Sequence, residues 1–237
     1  VIVRGAILAA MLALPAVAQA QAYECAIPSK VQRVRPDLPS AEQPRRVLPI
    51  GGYTLAITWA PQYCHDHARE ASARFQCKAG NRFGFTLHGL WPDGRGAEWP
   101  QYCKATALVP QPVIRRTLCS TPSAQLIQHE WAKHGTCMAG YDPARFFRTS
   151  TAMYRRLRYP DMQALSRTPL TAGKLAAALA RANPGLRADG MRITANRQGW
   201  LDEIWLCLDT RMRYQRCPAH QGGLAPNARV KVWRGVR

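Results

Sequence analysis

Two short segments carry the residue types that move protons: Phe85-Thr86-Leu87-His88-Gly89-Leu90-Trp91-Pro92-Asp93 and His129-Glu130-Trp131-Ala132-Lys133-His134-Gly135-Thr136-Cys137. Together they supply imidazoles, a carboxylate and an ammonium. That set is sufficient for acid–base chemistry on a phosphodiester without a metal: imidazoles titrate near neutrality, and a fixed cation offsets charge that builds on non-bridging oxygens.

The second segment reads as the end of a helix running from Ser123 to His134 and stopping at Gly135. At about 100° per residue, His129, Glu130, Lys133 and His134 share one face within roughly 140° of arc, with Trp131 and Ala132 on the other. A solvated face would account for Lys133 or Glu130 alone. Two histidines beside both of them point to a site. His-Glu opens the zinc motif H-E-x-x-H, but that motif needs its histidines four apart. Here Lys133 holds that position and the second histidine is five away, so no metal is expected.

The first segment follows a strand pattern. Asn81 to Leu87 places Phe83, Phe85 and Leu87 on one face and His88 on the other, with Gly89 and Pro92 expected to end the strand and begin a loop. Tyr53 to Trp59 alternates as another strand, and Leu201–Leu208 and Ala228–Trp233 read as late strands. Further helices are expected from Asp142-Pro143 to about Arg158 and from Lys174 to Ala182. Strands and helices do not alternate regularly. The expectation is therefore α+β, a mainly antiparallel central sheet packed by several helices in one disulfide-stapled domain.

Composition bounds the partners. The 237 residues carry 33 Lys+Arg against 14 Asp+Glu, a formal charge of +19, which suits a polyanionic substrate. Residues 1–20 read as a cleaved signal peptide: Arg4, the apolar run Ala6–Val17, then Ala18-Gln19-Ala20. No later segment is apolar enough to span a membrane, so none is expected to anchor the cleaved chain. Residues 21–50, rich in Pro and Arg, read as an extended arm. It is a solvated strap pinned through Cys25, or else a source of extra phosphate contacts. Residues 51–237 form the domain proper. The eight cysteines fit four disulfides in an exported protein, with the pairing left open by sequence.

The two segments match F-T-[IVL]-H-G-L-W-P and H-E-W-x-K-H-G-T-C at every position. In this the chain resembles the ribonuclease T2 family, the Rh and S-ribonuclease type of endoribonucleases. Thr58 to Cys64 and Tyr141 to Phe147 extend the resemblance, which covers roughly residues 51–217 and is weak in the arm. It implies a secreted or periplasmic bacterial member that binds single-stranded RNA, acts as a monomer and needs no cofactor.

By the same resemblance His88 and His134 are the acid–base pair, with His134 the base and His88 the acid. Glu130 and Lys133 stabilise the phosphorane, and His129 binds phosphate. Trp91 and Asp93 resemble base-contacting positions, and Trp99 and Tyr102 are candidate stacking rings, with a core role equally open to both. The implied disulfides are Cys64–Cys77, Cys103–Cys137, Cys25–Cys119 and Cys207–Cys217. The alternative function is a basic RNA-binding or cytotoxic protein whose role does not depend on catalysis. A metal-dependent nuclease that also cuts DNA is a third possibility.

Overall fold

The computed structural model describes residues 22–78 and 80–235, so the expected signal peptide over residues 1–20 lies outside the described residues. In chain order the elements are β1 (Ala22–Glu24), β2 (Ile50–Trp59), α1 (Ala60–His67), α2 (Arg74–Cys77), β3 (Arg82–Phe83), β4 (Phe85–Gly94), α3 (Gln111–Thr117), α4 (Ala124–Lys133), α5 (Pro143–Arg156), α6 (Met162–Leu165), α7 (Ala172–Ala182), β5 (Met191–Ala195) and β6 (Leu201–Leu208). Strands β4, β2, β6 and β5 form, in that order, an antiparallel sheet, while β1 pairs with β3. The fold is α+β, as the sequence pattern implies.

The sheet has two distinct faces because side chains alternate along each strand. Leu55 and Ile57 of β2 lie opposite Leu90 and Leu87 of β4, and opposite Leu206 and Ile204 of β6. These side chains are buried in the core, where α4 and α5 pack on β4, α5 also on β2, and α7 on β5. The other face carries Thr54, Thr58, Trp91, Glu203 and Trp205. One face therefore stabilises the fold by apolar burial, and the second is left for polar chemistry.

Strand β4 departs from its expected course. It does not end at Gly89 but runs to Gly94, and the break comes earlier, at Gly84, whose carbonyl accepts from the Ala60 amide. Pro92 is tolerated because β4 is an edge strand, where a missing N–H costs no ladder bond. The register jumps from Ala56↔Gly89 to Ile57↔Leu87, which makes His88 the extra residue of a β-bulge. The bulge resets the alternation, so Leu87 and Leu90 both reach the core while Gly89 and Trp91 face the polar side.

Helix starts follow local chemistry. Ser123, Asp142 and Thr171 each accept an N–H of the first turn of α4, α5 and α7, respectively, caps worth about 1 kcal/mol apiece. Pro143 supplies the first residue of α5. At the end of α4 the reason for Gly135 is space rather than a left-handed turn: a Cβ there would collide with the Trp131 ring. Segment 228–233 is not a strand. It is held by isolated bridges through Arg229 and Lys231, clamped between loops instead of joining a ladder.

Disulfides join Cys25–Cys119, Cys64–Cys77, Cys103–Cys137 and Cys207–Cys217, the pairs that the resemblance implies. Cys25–Cys119 ties the arm to the segment after α3. The arm is more than a solvated strap, since Val34 is buried in the core and Ile27 and Val31 pack against it. Among the described residues, no helix is long and apolar enough to cross a membrane.

Candidate active site

Helix α4 and the polar face of β4 meet at Gly89. A Cβ at that position would collide with the Glu130 carboxylate, so the glycine is what allows helix and strand to approach this closely. Ile127 and Trp131 anchor α4 in the core. The same helix thereby turns His129, Glu130, Lys133 and His134 toward the strand.

His88, Trp91, Glu130 and His134 form one contiguous group. Trp91 donates its indole N–H to Glu130 Oε2 at 2.9 Å. His88 Nε2 lies 3.5 Å from Glu130 Oε1. The Trp91 ring touches both imidazoles, its centroid 5.0 Å from that of His88 and 5.6 Å from that of His134. Glu130 is 1% exposed. Its Oε1 and the Nδ1 of His134 are buried polar atoms with no hydrogen-bond partner among the described residues. Groups of that kind are costly to bury and are commonly kept for function.

The electrostatics separate the two imidazoles. On His88, burial alone would disfavour the proton, but the hydrogen bond and charge of Glu203, with Glu130 behind them, outweigh it and push the pKa up to about 9. Burial holds His134 well below the usual histidine range, and the neighbouring Lys133, His129 and His88 push it the same way. Burial raises Glu130 to about 7 against the opposing pull of His88, Trp91 and Lys133. Burial also lowers Lys133, partly offset by Glu130 and Asp37.

Two site residues escaped the sequence reading. Glu203 of β6 accepts from His88 Nδ1 at 2.5 Å, from the Thr58 hydroxyl at 2.9 Å and from the Trp205 indole at 2.8 Å. Burial would raise its pKa, but these donors, His88 foremost, hold it below the ordinary carboxylate value. The second is Asp37 of the arm, whose Oδ2 lies 2.9 Å from His129 Nδ1. The available signals were slight: an acid on the polar face of an apolar strand, and an isolated acid between Pro36 and Pro39 in a basic arm.

The candidate base-contact residues divide. Trp91, Asp93 and Trp99 line a cavity of about 270 Å³ that also touches His134, Trp205 and Gln221. Asp93 accepts from the Thr54 hydroxyl at 2.7 Å, and burial pushes its pKa up to about 6. Trp99 is 45% exposed at the rim, with the Arg46 guanidinium 5.4 Å from its ring. Tyr102 does not offer a stacking face. It is 5% exposed and donates its hydroxyl to Asp37 at 2.9 Å. Its place is beneath the site, because its amide is tied to the Lys133 carbonyl and the Cys103–Cys137 bridge follows at once.

Donor atoms of His129, Glu130 and His134 lie within 4.8 Å of one another, a spacing that a metal ion could use. Against that use, Lys133 places a cation alongside and His129 Nδ1 is already engaged by Asp37.

The model of the Ribonuclease T2 family matches residues 50–217. A "Probable ribonuclease" of Haemophilus influenzae is 30% identical over 182 residues, covering 71% of this chain and 61% of that protein. The chain thus spans less than two thirds of that relative's length. A "Ribonuclease" of Aeromonas hydrophila is 30% identical over 164 residues, covering 66% of this chain and 71% of the relative. Among solved structures, trichomaglin, an S-like ribonuclease, superposes with a TM-score of 0.61 over 77% of this chain and 97% of its own, at 20% identity, a likeness of fold.

Proposed function

Since the chain belongs to the ribonuclease T2 family, we propose that it is an exported endoribonuclease that cleaves single-stranded RNA without a metal, by transphosphorylation and then hydrolysis. The observation that carries this reading is the opposed setting of two imidazoles that both pack on Trp91: His88 lies against the Glu203 and Glu130 carboxylates, and His134 is buried next to Lys133.

In the first step His134 takes the proton of the 2′-hydroxyl, and that oxygen bonds to the adjacent phosphorus. The bond from phosphorus to the 5′-oxygen breaks, and His88 gives that oxygen its proton. The products are a 2′,3′-cyclic phosphate and a free 5′-hydroxyl. In the second step water attacks the cyclic phosphate. His88 now accepts the proton of water and His134 returns one to the 2′-oxygen, leaving a 3′-phosphate. Lys133 and Glu130 bear on the five-coordinate phosphorus, the ammonium by offsetting oxygen charge. His129 holds the phosphate. Trp91, Asp93 and Trp99 receive a base, by stacking and by hydrogen bonds to its edge. Glu203 touches no substrate and acts through His88.

Export into the periplasm or the medium suits the four disulfides. A monomer completes the reading. The high positive charge draws RNA to the cleft and makes binding salt-sensitive.

The test is incubation with single-stranded RNA, and with DNA of the same sequence, in excess EDTA, followed by mass analysis of the new ends. The expected result is RNA cut to 2′,3′-cyclic ends with DNA intact, because DNA lacks the attacking hydroxyl. Cleavage that stops in EDTA and returns with a divalent metal would instead assign His129, Glu130 and His134 to a metal.

A further inference from the structure

The family match begins at residue 50, so no family role reaches the arm before it, yet the arm puts a carboxylate into the site. Asp37 Oδ2 lies 2.9 Å from His129 Nδ1 and accepts from the Tyr102 hydroxyl at 2.9 Å. The placement is built rather than incidental. One turn before His129 on α4, the Gln125 amide binds the backbone of Arg35 on both its N–H and its carbonyl. Beyond Asp37, the Gln101 side chain donates to the Pro44 carbonyl, the Arg45 guanidinium donates to the Cys103 carbonyl, and Arg46 exchanges backbone bonds with Gln101.

Tyr102, the second partner of Asp37, holds a left-handed backbone with φ of 49°. Such a conformation is strained for a tyrosine and persists when its surroundings demand it. Its amide bond to Lys133 and the neighbouring Cys103–Cys137 bridge supply that demand. The phenol meets Asp37 through its hydroxyl, and the carboxylate in turn meets the imidazole.

A carboxylate on Nδ1 selects the tautomer with its proton there and leaves Nε2 as the nitrogen available to a ligand. It also supports the imidazolium when an anion approaches. We propose that Asp37 is a positioning residue for His129, fixing the ring with Nδ1–H toward the arm and Nε2 toward the scissile phosphate, so that the arm is a working part of the active site. This rests on the reading of His129 as the phosphate-binding group.

The experiment compares wild type, D37N, H129A and D37N/H129A in steady-state cleavage of single-stranded RNA, together with long-range proton–nitrogen NMR of the wild-type His129 ring at neutral pH. D37N keeps the shape of the side chain but loses its charge. The expected result is a KM raised about tenfold, the order of one hydrogen bond to a charged group, with kcat changed less. D37N should cost nothing further in the H129A background, because it acts through that ring. A purely structural role would add its loss in both backgrounds and would overturn the proposal, as would D37N kinetics equal to wild type. If D37N does not fold, the wild-type spectrum decides: a proton on Nδ1 supports the proposal, and an Nε2–H tautomer with bare Nδ1 overturns it. Should the wild type fail to cut RNA, the ribonuclease reading fails on its own, while the spectrum still tests the bond to Asp37.

Discussion

His88 and His134 lie within reach of one tryptophan ring, yet their surroundings are opposite in kind. His88 stands on the sheet side, where β6 contributes Glu203 and α4 contributes Glu130. His134 stands on the helix side, buried beside Lys133 and His129. The first is a place where a proton is held, the second a place where one is refused. On the proposed mechanism, two groups of the same chemistry become acid and base because the fold sets one of them against carboxylates and buries the other beside Lys133. The general lesson is that environments which push like groups apart in pKa assign their roles.

That contrast can be broken at either end. The largest effect is expected for H134A or H88A, which remove the base or the acid outright. Single-turnover cleavage of a dinucleotide should fall on the order of 10² to 10⁴-fold for each. Near-wild-type turnover for either would remove it from the pair.

K133A should come next. It deletes a cation expected to matter more in the transition state than in the bound state, so kcat should fall roughly 10 to 100-fold with little change in RNA affinity. A loss confined to affinity would make Lys133 a simple phosphate clamp.

E203Q sharpens the comparison by removing the charge that supports His88. On the proposed mechanism cleavage needs neutral His134 and protonated His88, so wild-type kcat/KM should decline on the alkaline side as His88 loses its proton near a pKa of about 9. Without the carboxylate that limb should move toward acid by about one unit or more, and the acid limb, set by His134, should stay. An unmoved alkaline limb would show that Glu203 does not hold the proton.

The smallest effect concerns stability. Burial raises Glu130 from 4.5 to about 7. The unfolded chain releases this proton near its ordinary value, while the folded protein keeps it to higher pH. Stability is therefore lost as pH rises across that interval and stays lower above it. E130Q carries no such penalty and should melt a few degrees higher than wild type at pH 8, while cutting RNA poorly. Equal melting temperatures at pH 8 would contradict the burial argument.

The site was legible where it is local. His88 to Asp93 and His129 to His134 each lie within one segment, and helical spacing alone places four ionisable groups of α4 on one face. The parts contributed from afar were not. Glu203 is 115 residues from His88 and Asp37 is 92 from His129, and no periodicity links residues across such distances. The β-bulge at His88 was also hidden, because it depends on the register against β2 and not on β4 itself. Tyr102 could be placed in a loop, but only its tie to α4 shows that the ring lies beneath the cleft. The segment 228–233 alternates like a strand and still is not one, because no neighbouring edge receives it as a ladder.

The most direct test of the account is an NMR titration of the wild-type protein with ¹⁵N-labelled histidine, following His88 and His134 from pH 4 to 10 and assigning them through H88A and H134A. The account predicts that at pH 7 His88 is protonated and His134 neutral, with His88 losing its proton only in the alkaline range. Two imidazoles titrating together near the ordinary histidine value, or in the reverse order, would contradict it.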